Sequence, residues 1–205
     1  SDVVSERLPL LAKAVRNVGH IQTRNRGTIG GSIVHGDPSS EIPLAALALD
    51  AKLVLRNLSG ETEIAIDGFF EAAMVTNIEP DQLLTEIRIP VWQAARVGTG
   101  FHETASRQGD FAIVAAAAQV ELSDSGSIVR AAVTVGGAAP SPVKLHTLEA
   151  ALAGVSPDGI DALMNLVDQD IDPDTDVHAT AAYRQRVARK LVSRALADAV
   201  EEAGK

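Results

Sequence analysis

The sequence predicts an α+β fold laid out as two consecutive units. Three features predict it: pairs of β-rich segments set around short polar turns, stretches with helical spacing between and after them, and a span from Val91 to Gly100 with few large apolar side chains, which parts one set from the other. At 205 residues, 46% hydrophobic and only 3% aromatic, the chain can bury one core or two modest ones.

Leu8, Leu11, Ala12, Val15 and Val18 fall at helical spacing, with Pro9 in the first turn and Gly19 as the stop. Residues 24–38 follow, with Gly27, Gly30, Gly31 and Gly36 and little periodicity, and run into the apolar stretch Ile42 to Leu49; this reads as a glycine loop feeding a helix. Lys52 to Arg56 and Glu61 to Ile66 flank Asn57-Leu58-Ser59-Gly60, the pattern of a hairpin. Asp67 to Met74 reads as a short helix, and Leu83 to Ile89 alternates as a strand until Pro90 halts it. The boundary between the units is placed near Gln93.

Beyond it, Ile113 to Leu122 and Ile128 to Val135 bracket Ser123-Asp124-Ser125-Gly126-Ser127 as a second hairpin. The alanine run inside the first segment also suits a helix, but the short turn and the β-branched Val114, Val120, Ile128, Val129, Val133 and Val135 favour strands. Pro140 and Pro142 interrupt, and helices are expected near Lys144 to Ala153, Ser156 to Val167 and Ala179 to Glu202. The last repeats Tyr183, Val187, Leu191, Ala195 and Ala199 at a four-residue step, a stripe suited to packing on a sheet.

Composition removes several function classes. A net charge of −9 argues against a nucleic-acid partner, because such affinity rests on Lys and Arg neutralising phosphates. With no cysteine, the chain forms no disulfide, no Cys-ligated zinc site and no iron–sulfur cluster of its own, so any redox chemistry comes from a bound cofactor or a partner. No apolar run approaches the ~18 residues of a membrane span, and the first residues lack the charged and apolar regions of a signal peptide. These features together predict a cytoplasmic protein without a membrane span.

Thr28-Ile29-Gly30-Gly31-Ser32 is the leading candidate site. Paired glycines let backbone approach a ligand, adopt positive φ and turn successive N–H groups toward an anion, while Thr28 and Ser32 add hydroxyls; the same composition also suits a plain tight turn. His35, Asp37 and Glu41 match no metal-ligand spacing, so capping of the next helix by Asp37 or Ser40, or hydrogen bonding to a ribose or diphosphate, is preferred. No nucleophile elbow or triad is present. Arg24 and Arg26 suit either an anion or solvent, and Arg184, Arg186, Arg189, Lys190 and Arg194 read as a solvated face or subunit contact.

Four ordered motifs carry a resemblance: residues 24–38, Leu83-Leu84-Thr85-Glu86-Ile87-Arg88-Ile89-Pro90, Arg107-Gln108-Gly109-Asp110-Phe111-Ala112-Ile113-Val114, and Gly136-Gly137-Ala138-Ala139-Pro140-Ser141-Pro142-Val143, ending in the Tyr183-Arg184 helix. The sequence resembles the FAD-binding medium subunit of the molybdenum hydroxylases, the xanthine dehydrogenase and carbon monoxide dehydrogenase group. The resemblance implies the second subdomain of a PCMH-type FAD-binding domain, mostly antiparallel sheet with helices, over residues 1–93, and a C-terminal α+β domain of the CO dehydrogenase flavoprotein type over 94–205. It implies an oxidoreductase subunit that takes electrons from 2Fe–2S clusters on a small subunit, reduced in turn by a molybdopterin-bearing large subunit, in a dimer of heterotrimers.

Matched position by position, Thr28, Ile29, Gly30, Gly31 and Ser32 correspond to the family's diphosphate-binding motif, Asp37 to a family acid, Glu41 to an acidic flavin ligand, and Leu84 to an aliphatic residue near the isoalloxazine ring. No catalytic or metal-binding residue is carried over. Two departures stand out: His102-Glu103-Thr104 replaces a stretch where relatives often carry a lysine, and the family's first flavin motif, Ala-Gly-Gly-x-Ser, has no counterpart in the 205 residues. Weak FAD retention by this chain alone is the expectation. A flavin-free assembly module and a free-standing phosphate-ligand binding protein are the alternative readings.

Overall fold

A computed structural model describes residues 1–107 and 109–205; Gln108, within the third motif, lies outside the described residues. The chain opens with α1 (Asp2–Arg7), which sequence spacing did not signal and which buries no residue, and α2 (Pro9–Asn17), which seats Leu10, Leu11 and Ala14 in the core. Pro9 occupies the first turn of α2, where a missing N–H costs nothing. Three short helices follow: α3 (Ile21–Arg24), α4 (Ile29–His35) and α5 (Glu41–Ala48), the last buried at every position.

The first hairpin forms as the sequence predicts, with β1 (Lys52–Asn57) against β2 (Gly60–Ala65). Residues Asp67 to Met74 are not a helix. They hold β3 (Phe70–Ala72), which pairs with β4 (Val75–Thr76) as a small antiparallel ribbon. The reason is local: Gly68 (φ 79°) and Met74 (φ 58°) both take left-handed backbone, and adjacent Phe69 and Phe70 both enter the core, edge to face at 5.4 Å. The strand β5 (Leu83–Arg88) completes an antiparallel sheet of order β2-β1-β5.

The second sheet has the order β6-β7-β8-β9, from β6 (Val97–Ala105), β7 (Ala112–Leu122), β8 (Ile128–Gly136) and β9 (Val143–Lys144). Then come α6 (His146–Leu152), a 3-10 helix (Pro157–Leu166), α7 (Val167–Asp170) and the long α8 (Ala181–Ala203). The strand β6 begins inside the span read as a boundary, disguised by Gly98 and Gly100. Those glycines have a packing cause: a Cβ would fall 2.0 Å from the Ala199 carbonyl oxygen at Gly98 and 2.0 Å from that of Ala195 at Gly100, so α8 lies directly on bare backbone.

The alanine strand β7 is covered on both faces. Val114, Ala116, Ala118 and Val120 join the core with α6 and α8, while Ala112, Ala115 and Ala117 pack with Leu10, Leu11 and Ala14 of α2 and Leu44, Ala45 and Ala48 of α5. Small side chains on both faces let the two helical layers approach one strand, which explains a composition that also suits a helix. Polar links reinforce this seam. Lys13 of α2 donates to the Thr99 carbonyl at 2.7 Å and pairs with Glu202 of α8 at 2.8 Å, and Thr134 Oγ1 donates to the Leu44 carbonyl at 3.1 Å.

On α8 the expected stripe is rotated. Leu191, Ala195 and Ala199 are buried, but Tyr183 and Val187 are only half-buried, and Ala188, Val192 and Leu196 complete the inner face. The basic cluster is likewise divided. Arg184 is buried, contrary to a solvated reading, because its guanidinium caps backbone: Nη1 donates to the carbonyls of Ile113 (2.6 Å) and Gly137 (2.7 Å), and Nη2 to Asp176 (2.6 Å). Arg189 is held by Asp168 at 2.8 Å.

Candidate functional site

The glycine motif is the first turn of α4 rather than a left-handed loop. Thr28 is its N-cap, with Oγ1 accepting from the Gly31 N–H at 3.0 Å, and neither Gly30 nor Gly31 takes positive φ. The cap draws the segment into helix and so overrides the loop conformation suggested by paired glycines. Gly31 is needed for a different reason: a Cβ there would stand 2.9 Å from Thr28 Oγ1 and push the cap apart. In any first turn the leading N–H groups lack an acceptor within the helix, so those of Ile29 and Gly30 remain available to a ligand. Left-handed backbone falls instead at Gly36 (φ 66°), which ends α4 against Thr76.

A cleft of about 650 Å³ opens beside this turn. Thr28, Ile29, Gly31, Ser32, Asp37 and Glu41 line it, together with Val15 of α2, Val18 just after it, Arg24, Arg26, Ile42 and the segment Gly109-Asp110-Phe111. Two of the sequence-predicted residues do not. Gly30 turns away, and Leu84 of β5 stands behind it, 3.8 Å from where a Gly30 Cβ would be. Ser32 Oγ lies 2.9 Å from Ser40 Oγ, and Asp37 Oδ1 accepts from the Ser39 N–H at 2.8 Å, so neither Asp37 nor Ser40 caps α5 through its side chain.

The third motif closes one wall. Gly109 (φ 89°) lies against His20, where a Cβ would meet the ring at 2.6 Å, and Phe111 stays 67% exposed while facing the cleft. Arg24 is occupied with backbone, donating to the carbonyls of Val18 (2.7 Å) and Gly19 (2.8 Å). Arg107 is exposed and does not reach the lining, so it does not stand in for a lysine there.

Glu41, at the start of α5, is 97% buried yet faces the cleft, with its relative exposure only 3%. Burial raises its carboxyl above the ordinary range, its own backbone N–H lowers it in part, and Asp37 raises it further. Glu103 is the residue that sequence reasoning did not place in a site. It follows Phe101 by two positions on β6 and so shares the face that packs toward α2 and α5. Burial pushes its carboxyl up to about 7, helped by the charge of Glu41, and its Oε2 is buried without a hydrogen-bond partner among the described residues. The available signal was an acid on the inward phase of a strand, opposite Ala115.

Apolar walls, a helix start with free N–H groups and a buried acid suit a nucleotide-like ligand with one apolar ring system and one anionic group. Comparison with known proteins gives the family. The profile described as "FAD binding domain in molybdopterin dehydrogenase" matches residues 1–92, and that of the "CO dehydrogenase flavoprotein C-terminal domain" matches residues 99–199. The chain belongs to the FAD-binding medium subunits of the molybdopterin dehydrogenases.

This medium subunit is 37% identical over 205 residues to the 6-hydroxypseudooxynicotine dehydrogenase complex subunit alpha of Paenarthrobacter nicotinovorans, covering 99% of this chain and 69% of the relative. Against the carbon monoxide dehydrogenase medium chain of Hydrogenophaga pseudoflava, identity is 32% over 199 residues, 96% of this chain and 68% of the relative. A solved structure of carbon monoxide dehydrogenase from Hydrogenophaga pseudoflava superposes with a TM-score of 0.94, at 32% identity, over 98% of this chain and 70% of that one. The medium subunit therefore has the family's mixed helix and antiparallel-sheet architecture, and its relatives are parts of oxidoreductase complexes. None of its described helices is long and apolar enough to cross a membrane.

The residues present fit FAD. The Thr28-capped turn, which needs Gly31 to close, leaves leading backbone N–H groups without an acceptor in the helix, and the cleft beside it has the volume and apolar lining of a cofactor site.

Proposed function

We propose that this medium subunit carries FAD in the cleft beside α4 and relays electrons from 2Fe–2S clusters of a small subunit, reduced by a molybdopterin-bearing large subunit, to an external acceptor in the cytoplasm. The observation that carries the reading is the convergence of Thr28, Ile29, Gly31, Ser32, Asp37 and Glu41 on one cleft of about 650 Å³. Bound FAD supplies the redox chemistry, accepting electrons and releasing them; the protein binds, orients and sets the electrostatics. The N–H groups at the start of α4 and the hydroxyls of Thr28 and Ser32 hold the diphosphate. Asp37, fixed by Ser39, and Glu41 present the acidic side of the cleft, and Leu84 supports the turn from behind Gly30. Residues 1–93 form the flavin unit and 94–205 a C-terminal unit that braces it through β7.

Flavin fluorescence during titration of the full chain with FAD tests the first part, and saturable quenching weakened by disrupting the Thr28 cap is the expected result. For the relay, rapid mixing of the reconstituted complex with its substrate follows flavin bleaching. Reduction of the clusters without bleaching of the flavin would reject the relay.

A further inference from the structure

We propose that Glu103 takes up a proton when FAD enters the cleft, so that flavin retention by this subunit is proton-linked through the Glu41/Glu103 pair. The inference rests on the FAD reading above and adds a residue and a condition to it. The geometry is that of two inward carboxyls from different elements at one junction. Glu41 enters from the first turn of α5 and lines the FAD cleft, while Glu103 enters from β6 and lines a smaller polar cavity of about 330 Å³. The two spaces are neighbours, with Gly19, Arg24 and Gly109 bordering both.

Neither acid is paired with a cation among the described residues, although basic groups border both spaces: Arg16, His20 and Arg24 around Glu103, and Arg24, Arg26 and His35 around Glu41. Facing Glu103 from α2 is Arg16, from the following turn His20, from α3 Arg24, from α5 Glu41, and from β7 the uncharged Ala115. Arg24 is held by the carbonyls of Val18 and Gly19, and among the described residues no basic group lies within 4.0 Å of either Glu103 or Glu41. Asp37, also buried, and Asp110 add further acids on the cleft side. Glu103 is half-buried, but a carboxylate whose Oε2 is sealed from water with neither a cation nor a hydrogen bond is disfavoured, whereas the protonated acid is neutral and a donor.

On the FAD reading, a dianionic diphosphate enters the cleft that Glu41 lines, next to the cavity that Glu103 lines. Added negative charge favours the protonated form of every nearby carboxyl, and the group closest to its midpoint at neutral pH responds first. Glu103 is that group, held up to about 7 by burial and by Glu41. By linkage, a group that binds its proton more tightly in the complex makes the complex tighter on the acid side. FAD affinity is then greatest below the free-state midpoint and falls by up to about tenfold per pH unit above it, levelling off past the bound-state midpoint. The cavity lined by Arg16, Asn17 and His20 gives this proton a polar route to solvent that does not cross the apolar flavin walls.

FAD titration of the full chain by calorimetry, repeated from about pH 6 to about pH 8 in buffers of different ionisation enthalpy, tests the proposal. Uptake approaching about one proton per FAD near neutrality is expected, with the dissociation constant rising by up to about tenfold across the range. Glu103→Gln, a neutral isostere of the protonated acid, is expected to flatten this dependence and to bind FAD more tightly than the wild type at the alkaline end. A structural lesion would not tighten binding, so this outcome separates proton linkage from damage; melting curves of the variant confirm folding. FAD binding with no proton uptake, or Glu103→Gln retaining the wild-type pH dependence, overturns the proposal and leaves the FAD reading standing. Absence of FAD binding at every pH overturns both.

Discussion

Replacing Arg184 by methionine removes the guanidinium while keeping an unbranched apolar stem of comparable reach, and so isolates the hydrogen bonds from the packing. Arg184 is 7% exposed, and its Nη1 serves two main-chain carbonyls at once, Ile113 at the start of β7 and Gly137 just after β8. In Arg184→Met both oxygens lose their donor inside the protein. Each orphaned buried acceptor costs about 1–3 kcal/mol, so the pair costs about 4 kcal/mol. For a chain of this size each kcal/mol moves the melting temperature by roughly 2–4 °C, which predicts a drop of roughly 8–16 °C by calorimetry. Arg184→Lys keeps one charged donor and falls between. Asp176→Asn keeps Oδ1 as acceptor for the N–H groups of His178 and Ala179 at 2.9 Å each but loses the ion pair with Arg184 Nη2, so it is expected to lower stability without orphaning either main-chain carbonyl. A melting temperature for Arg184→Met within about 2 °C of the wild type refutes the reasoning, because it would mean that water replaces the guanidinium at both carbonyls.

Gly100→Ala places a methyl 2.0 Å from the Ala195 carbonyl oxygen, a contact that only a shift of α8 relieves, and should cost about 3 kcal/mol or more in urea unfolding; a silent substitution would show that helix and sheet are not in backbone contact. Thr28→Ala removes the cap on Gly31 and should cost about 1 kcal/mol of stability and weaken FAD binding, with Thr28→Ser restoring both in melting and titration assays. Glu103→Gln should stabilise the FAD-free protein at alkaline pH and change little under acid conditions. The sign follows from the raised carboxyl: the folded state holds a proton that the unfolded chain has released, so wild-type stability declines as pH climbs from the ordinary carboxylate range to about 7, and equal melting of variant and wild type at both extremes would exclude it. Asp176 runs the other way. The Arg184 guanidinium, with the N–H groups of Ala179 and His178, holds it below the usual range, so its contribution is present above the ordinary carboxylate value and is lost on acidification, a loss that Asp176→Asn should not show.

Periodicity carried most of the fold. The β1–β2 hairpin and the β7–β8 hairpin were legible because turn residues sat between segments of the right length, with Gly60 and Gly126 taking the positive φ those turns require. Asp67 to Met74 was misread because its helical composition says nothing of Gly68 and Met74, whose left-handed backbone breaks any helix. Strand β6 was missed for a related reason: Gly98 and Gly100 look like linker residues, and only the position of α8 shows that absence of a side chain is the packing requirement. In the candidate site, residue identity was legible and conformation was not. The motif at residues 28–32 pointed to the cleft, but the capping bond that makes it a helix start, and the turning of Gly30 and Leu84 away from the lining, depend on distances a sequence does not encode. Arg184 and Glu103 share a further difficulty, since a charged side chain is read by default as solvated and its burial depends on partners distant in the chain.

That difficulty connects stability to function in this subunit. One face of β7 is packed by α8 and the other by α2 and α5, so the strand that supports Glu103 through its pairing with β6 is fixed from both sides. Residues in such a layer have little freedom to relax around a charge, which is why a carboxyl there shifts its proton affinity instead of moving toward water. The same packing confines Glu41, whose helix is buried along its whole length. If the proposed proton linkage holds, a substitution that loosens the seam between α5 and the second sheet, such as Gly100→Ala, should blunt the pH dependence of FAD binding as well as lower stability.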